Sequence, residues 1–164
     1  MRSENSIASV VGRVAEEIDL TRLHEILALL LDRTGASRTT LRWANRDSGP
    51  VLIAEVCAPG VSSMRDSSLR GVAEAPTYLY LLEHRRFLIQ EDCLADPVAP
   101  PRSLVEDFDV RAQMLAPVTL DDAMIATISV HYQGAPRAWS EADIESLTAA
   151  QLEVAATIGV SEQL

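Results

Sequence analysis

Lysine is missing from this 164-residue chain. All 14 basic residues are arginines, and they stand against 24 acidic residues, which gives a formal net charge of −10. Without lysine, the Schiff-base, P-loop and kinase chemistries that depend on this side chain are excluded. The excess negative charge repels phosphate backbones and anionic lipid surfaces, so we expect neither a nucleic-acid partner nor a membrane partner.

Long apolar runs are missing as well. The longest unbroken run, Ile26–Leu31, has six residues, whereas a membrane-spanning helix needs about 20. No apolar segment follows the polar N-terminal stretch Met1–Asn5, so we expect no secretory signal and a cytoplasmic location.

Cysteine is scarce, and no catalytic motif is present. Cys57 and Cys93 are the two cysteines, and neither lies at metal-ligand spacing from a histidine. They are either two reduced thiols or a redox pair. The chain contains no Gly-x-Ser-x-Gly, no His-Glu-x-x-His and no glycine-rich phosphate loop. We therefore expect no metal and no cofactor, and we favour a binding protein over an enzyme.

The N-terminal residues have the apolar spacing of a helix. Apolar side chains recur about every three or four positions within residues 1–19: Ile7, Val10, Val11, Val14 and Ile18. A single small sheet face would not cover this stripe fully, so we assign residues 1–19 to a helix that, together with the C-terminal helix, forms a homodimer with a second copy. The alternative is a monomer in which the terminal helices cover only their own sheet.

Two further helices are bounded by recognisable capping residues. One is expected to begin at Asp19 or Thr21 and to end at Gly35. The other begins at Ser140, in a variant capping box, and is expected to end at Gly159. The residues beyond it, 161–164, are predicted to form a short tail.

Between these helices the sequence predicts an antiparallel sheet. Runs rich in apolar and β-branched residues indicate strands at 39–43, 51–56, 86–90, 110–120 and 124–132. Turn residues join the first two strands and the last two strands as hairpins. The connecting segments are predicted to be a long loop at 58–75, a helix at 76–84 and a helical turn or two at 103–108. This arrangement is an α+β sandwich with five or six strands.

Several segments resemble the GAF domain family. They are Leu82–Ile89 before the third strand, Val110–Val118 with its proline inside a strand, and Arg137–Ser140 ahead of the last helix. The resemblance covers residues 20–160 and implies the same antiparallel sheet. It also implies terminal helices on one face of the sheet, and a ligand pocket on the other face under a loop and short helices.

What this resemblance implies for function is a bacterial, non-catalytic sensory or regulatory protein. Such a protein binds a small molecule and signals through a homodimer or a partner. The Cys-His pair of bilin-binding members and the lysine-containing set of cyclic-nucleotide-binding members are absent. The alternative is a small cysteine-dependent redox enzyme similar to the free methionine sulfoxide reductases, with Cys93 as the reactive thiol.

Alternation along the last strand predicts which side chains face the pocket. Ala126, Ile128 and Val130 are apolar and should pack on the terminal helices, so the opposite face carries the ligand-binding groups. The predicted walls of the pocket are Thr127, Ser129 and His131 on the last strand, and Gln113 or its neighbour Met114 on the strand before it. The predicted apolar cover is Tyr78, Leu82 and Phe108, and the predicted counter-charge is Arg111. These groups suit a small polar or weakly anionic metabolite.

Other interpretations of the charged and aromatic residues remain open. Arg111 could instead pair with Asp107 or Asp109. Arg42 and Glu55 lie in the first hairpin, and a cross-strand ion pair is expected between them. Trp43 is expected in the core and outside the pocket.

Overall fold

The computed structural model describes residues 19–44, 50–65 and 69–162. The helix predicted for residues 1–19 therefore lies outside the described residues, apart from Asp19. Nine elements follow in the described chain: α1 Leu20–Thr34, β1 Arg38–Trp43, β2 Val51–Cys57, α2 Pro76–His84, β3 Leu88–Gln90, α3 Arg102–Glu106, β4 Val110–Leu120, β5 Ala123–Gln133 and α4 Glu141–Glu162.

The five strands form one antiparallel sheet in the order β2-β1-β5-β4-β3. This confirms the predicted α+β class. The β4–β5 hairpin closes at Asp121 and Asp122, which both adopt positive φ angles, of 49° and 64°. Short polar side chains tolerate this left-handed conformation, so the two aspartates can replace glycine in the turn.

The outer face of the sheet carries the main core. α1 and α4 pack against it, and apolar side chains from every layer meet there, among them Leu23, Leu27, Leu41, Ala54, Met114, Ile128, Val130, Leu147 and Val154. Trp43 belongs to the same cluster, as predicted. No helix of the described chain is long and apolar enough to cross a membrane.

Local capping fixes the first helix. The Asp19 carboxylate accepts a hydrogen bond of 3.0 Å from the Arg22 backbone amide at the start of α1. Gly35 ends the helix in the left-handed conformation, with φ of 59°. Gly35 was predicted as the end of the helix, and of the two predicted capping residues, Asp19 and Thr21, the structure has Asp19.

The last helix departs from the prediction at its C-terminal end. Its start is the expected capping box, in which Ser140 and Asp143 each accept a hydrogen bond from the other's backbone amide. The helix then passes through Gly159 and continues to Glu162, so that residues 161–162 are helical where a tail was predicted. A glycine inside a helix costs about 1 kcal/mol, and the packing of the preceding Ile158 in the core offsets that cost.

Three segments cover the inner face of the sheet. They are the described loop residues 58–65 and 69–75, helix α2, and the chain from residue 91 to 109 that includes α3. The third strand is shorter than predicted because Arg85 ends α2 in a left-handed conformation, and pairing then starts only at Leu88. The inner face and its cover enclose the candidate site.

Candidate ligand-binding site

The inner face of the sheet is polar although it is buried. Alternate residues of each strand share this face, and the ladder places polar groups of β1 opposite polar groups of β5: Arg38 and His131, Thr40 and Ser129, and Arg42 and Thr127. Gln113 on β4 lies opposite His131 on its other side. All of these residues are buried. A buried polar face is costly unless its groups are paired or meet a ligand.

A cavity of about 40 Å³ lies between this face and its cover. Its walls come from the sheet, the loop, α2 and α3: Arg42, Leu69, Val72, Thr77, Tyr78, Leu81, Pro101, Leu104, Gln113, Leu115, Thr127, Ser129 and His131. A water molecule needs about 10–15 Å³ of such space. The cavity therefore has room for about three water-sized groups.

Five of the predicted site residues line this cavity. They are Thr127, Ser129 and His131 from β5, Gln113 from β4, and Tyr78 from α2. The alternation of β5 therefore assigns its two faces as predicted. Burial raises the pKa of the Tyr78 hydroxyl, so this group stays protonated and can donate a hydrogen bond.

Met114 and Leu82 do not line the cavity. Met114 is fully buried in the core on the outer face, because neighbouring residues of a strand point to opposite sides. Leu82 is 41% exposed, and its neighbour Leu81 lines the cavity instead. Successive residues of a helix are about 100° apart, so a shift of one residue moves a side chain off the covering face.

Phe108 and Arg111 also lie outside the cavity walls. The Phe108 ring stacks on Arg38, whose Cζ is 5.3 Å from the ring centroid. Arg111 faces Asp92 at 4.0 Å, between Nη2 and Oδ1, in place of the predicted counter-charge role and of a pair with Asp107 or Asp109.

Arg42 supplies the buried cation at this cavity, and sequence reasoning missed it. Its carboxylate partner was predicted to be Glu55, but Glu55 pairs with Arg38, at 3.4 Å between Oε2 and Nε. Among the described residues, the hydrogen-bond contact of the Arg42 side chain is the Met64 sulfur, 3.9 Å from Nη2. Burial lowers the pKa of Arg42; Glu55 opposes this effect and Arg38 adds to it. An arginine still keeps its charge under these conditions.

His131 is a neutral hydrogen-bonding group. Burial, together with the charges of Arg38 and Arg42, holds its pKa well below the ordinary value of 6.5. Its Nδ1 is 3.5 Å from Nη1 of Arg38, which can only donate. The ring proton of the neutral imidazole is therefore on Nε2, and this nitrogen is a donor.

The hydroxyl groups of the cavity lack protein partners. Neither Thr127 nor Ser129 has a side-chain hydrogen bond to any residue that the structure describes, and the buried Thr40 hydroxyl also lacks one. Gln113, in contrast, is held in place: its Nε2 donates to Gln90 Oε1 at 2.7 Å. The cavity walls thus combine one fixed amide with the Thr127 and Ser129 hydroxyls, which have no side-chain hydrogen bond to a described residue.

Comparison with known proteins identifies the fold family. The family model of the GAF domain matches residues 20–158. The chain belongs to the GAF domain family. No curated protein sequence matches it significantly.

Solved structures with the same GAF fold share little sequence with this chain. The cyanobacteriochrome TePixJ GAF domain has a TM-score of 0.77 and 16% identity, over 92% of this chain and 96% of its own. The far-red absorbing dark state of JSC1_58120g3 with bound biliverdin IXa has a TM-score of 0.68 and 16% identity, and the match covers 93% of this chain and 98% of that one. The GAF domain/HD domain protein from Geobacter sulfurreducens has a TM-score of 0.70 and 12% identity, and the match covers 92% of this chain and 99% of that one.

The structure of this GAF domain gives no support to a reactive thiol. Cys93 is buried, and its pKa is raised to about 12, chiefly by burial and further by Asp92 and Asp96. A thiol that stays protonated is a poor nucleophile. No cluster of three or more histidine, cysteine or acidic side chains suited to a metal ion occurs among the described residues.

Proposed function

We propose that this GAF domain is a cytoplasmic, non-catalytic sensory or regulatory module that binds a small polar molecule in its inner-face cavity. One observation carries the proposal: a buried guanidinium and hydroxyls with no side-chain hydrogen bond to a described residue line the same partly enclosed cavity. The two cysteines, Cys57 and Cys93, are free thiols, which suits a reducing compartment.

The buried polar groups give an energetic reason for ligand binding. A buried donor or acceptor without a partner costs about 1–3 kcal/mol. Arg42 contributes a buried charge that has a thioether as its hydrogen-bond contact among the described residues, and the Thr127 and Ser129 hydroxyls line the cavity beside it. A polar guest would satisfy these groups together, so its binding would be linked to the stability of the domain.

The size of the cavity supports a small ligand over a tetrapyrrole. One neighbouring structure holds biliverdin IXa, a molecule with many more atoms than a cavity of about 40 Å³ can enclose. The sequence also lacks the Cys-His pair by which bilin-binding members are recognised. We therefore carry over the fold of these photoreceptors but not their ligand.

Signalling through a homodimer is part of the same proposal. α1 and α4 pack side by side on the outer face of the sheet, and their outward surfaces expose Leu29 at 43% and Leu152 at 66%. Exposed leucines on adjacent helices favour an isologous contact with a second copy. A ligand on one face of the sheet could then act on an interface at the other face.

Ligand binding is testable on the purified protein. We expect native mass spectrometry to detect a co-purifying small molecule, or a thermal-shift screen of small polar metabolites to give a saturable increase in Tm. Ser129→Val should abolish the response by placing an apolar group in the cavity. The exposed Thr119→Val on β4 is the matched control and should respond like the unmodified protein. A protein that carries no small molecule and responds to none of the metabolites would refute the proposal.

A further inference from the structure

The buried inner face carries more positive than negative charge. Arg38 and Arg42 are both buried there, and Glu55 is the buried carboxylate among the described residues of this face. Glu55 is fully engaged: one oxygen accepts from the Ser63 hydroxyl at 2.5 Å, and the other accepts from the Met64 amide at 2.8 Å and lies beside Arg38. One guanidinium charge therefore has no carboxylate of its own in the described part of the chain.

That unmatched charge belongs to Arg42. Arg38 is held by Glu55, by the Ser62 carbonyl at 2.6 Å and by His131. Arg42 is 9% exposed, and its hydrogen-bond contact among the described residues is with a thioether, a weak acceptor. Burial of an unpaired charge costs several kcal/mol, so the site favours an anion that restores neutrality.

The groups around Arg42 match a planar oxyanion. Its strand partner Thr127 and the next inner-face residue, Ser129, supply hydroxyl donors on the same cavity wall. Neutral His131 adds an N–H donor beyond them. A guanidinium offers parallel N–H groups that match the two oxygens of a carboxylate.

The size of the partly enclosed cavity favours a small ligand. Its space for about three water-sized groups suits a molecule of about three to five non-hydrogen atoms. The remaining walls include Leu81, Leu104 and Leu115, which suit a short alkyl group. We infer that the ligand of this GAF domain is a short-chain monocarboxylate whose carboxylate pairs with Arg42. This inference rests on the proposed function and specifies its ligand class.

The experiment compares acids with their neutral isosteres. Acetate and propionate are titrated against the full chain by isothermal calorimetry and thermal shift, in a chloride buffer of constant ionic strength. Acetamide and propionamide are the matched neutral ligands. We expect saturable binding of the acids and at least about 30-fold weaker binding of the amides, because the amides leave the buried charge unpaired.

Two variants locate the binding group. Arg42→Gln should weaken carboxylate binding by at least about 30-fold. Arg111→Gln removes a half-buried arginine outside the cavity walls and should leave the affinity unchanged. If Arg42→Gln fails to fold, saturation-transfer NMR on the unmodified protein replaces it, and transfer between the acetate methyl group and the methyl groups of Thr127 and Leu81 is then expected.

The outcomes separate this inference from the proposed function. If acids and amides bind equally well, or if Arg111→Gln causes the loss, the carboxylate inference is overturned while the polar ligand site stands. If neither acids nor amides bind, the carboxylate inference is overturned, and a larger co-purifying ligand would still support the proposed function. The inference is supported only if acids bind, amides do not, and the loss or the NMR transfer maps to the Arg42 cavity.

Discussion

The guanidinium Nε of Arg38 lies 3.4 Å from the Glu55 carboxylate, and the two side chains are 0% and 2% exposed. The Nε–H group is not aligned for a hydrogen bond, so the contact is one of charge. Glu55 also accepts hydrogen bonds from Ser63 and Met64, and Arg38 donates to the Ser62 carbonyl. This ion pair therefore holds the loop residues 62–64 against β1 and β2.

We expect Glu55→Gln to lower the free energy of unfolding by about 3–5 kcal/mol. Removal of one partner of a buried ion pair leaves the other charge uncompensated, and here it leaves both Arg38 and Arg42 without a buried carboxylate from the described residues of this face. Urea denaturation measures the change. Glu153→Gln is the control, because its ion pair with Arg22 is about half exposed and should contribute less than about 1 kcal/mol. Equal losses in the two variants would contradict the buried-pair interpretation.

Cys93 should be almost inert in the folded protein. Its pKa of about 12 leaves very little thiolate at pH 8, and the side chain is buried. We expect iodoacetamide at pH 8 to label Cys93 far more slowly in the native state than in urea, as read by mass spectrometry of the peptides. Cys57 is partly exposed, and burial raises its pKa less strongly, so it should react first. Rapid native labelling of Cys93 would reopen the redox alternative.

Local signals in the sequence predicted most of the fold. Asp19 and Gly35 bound α1 because capping and left-handed geometry depend on the residues themselves. The alternation of β5 assigned its faces because a strand has a period of two. Gly159 misled the prediction because a glycine ends a helix only when it turns left-handed, and here packing of α4 on the sheet keeps it helical.

The charge pattern of the site could not be predicted in this way. Glu55 lies directly opposite Thr40, so Arg38 and Arg42 are diagonal neighbours on either side, two residues away along β1. By sequence spacing alone, Arg38 and Arg42 are equivalent ion-pair partners for Glu55. The choice of Arg38 depends on the loop that returns over Glu55 and brings the Ser62 carbonyl to Arg38. Only the folded chain therefore shows that, among the described residues, Glu55 pairs with Arg38 and not with Arg42.

The proposed homodimer predicts a response to charges on the helical face. Leu29→Asp and Leu152→Asp each place a carboxylate on the outward surface of α1 or α4, so a dimer that buries these leucines should dissociate. Sedimentation velocity should show the shift to monomer, with circular dichroism unchanged. Leu94→Asp is the control, since Leu94 is 62% exposed but lies in the segment that follows β3. If all three variants keep the oligomeric state of the unmodified protein, this face is not the interface.

The last prediction concerns pH and His131. In the folded protein its pKa lies well below 6.5, because burial and the charges of Arg38 and Arg42 oppose protonation. In the unfolded chain the imidazole has its ordinary pKa of about 6.5. Above that pH both states are neutral, and His131 makes no contribution to pH dependence. Below it the unfolded state binds a proton that the folded state does not, so stability must fall as the pH falls.

We therefore expect the free energy of unfolding to fall between pH 7.5 and pH 5 more steeply in the unmodified protein than in His131→Gln. The difference in slope below pH 6.5 should approach about 1.4 kcal/mol per pH unit, the value for one proton. His84→Gln changes a histidine whose side chain is 46% exposed and should follow the unmodified protein. Parallel curves for the unmodified protein and His131→Gln would mean that the buried imidazole takes up a proton in the fold. The cavity would then carry an additional positive charge at low pH.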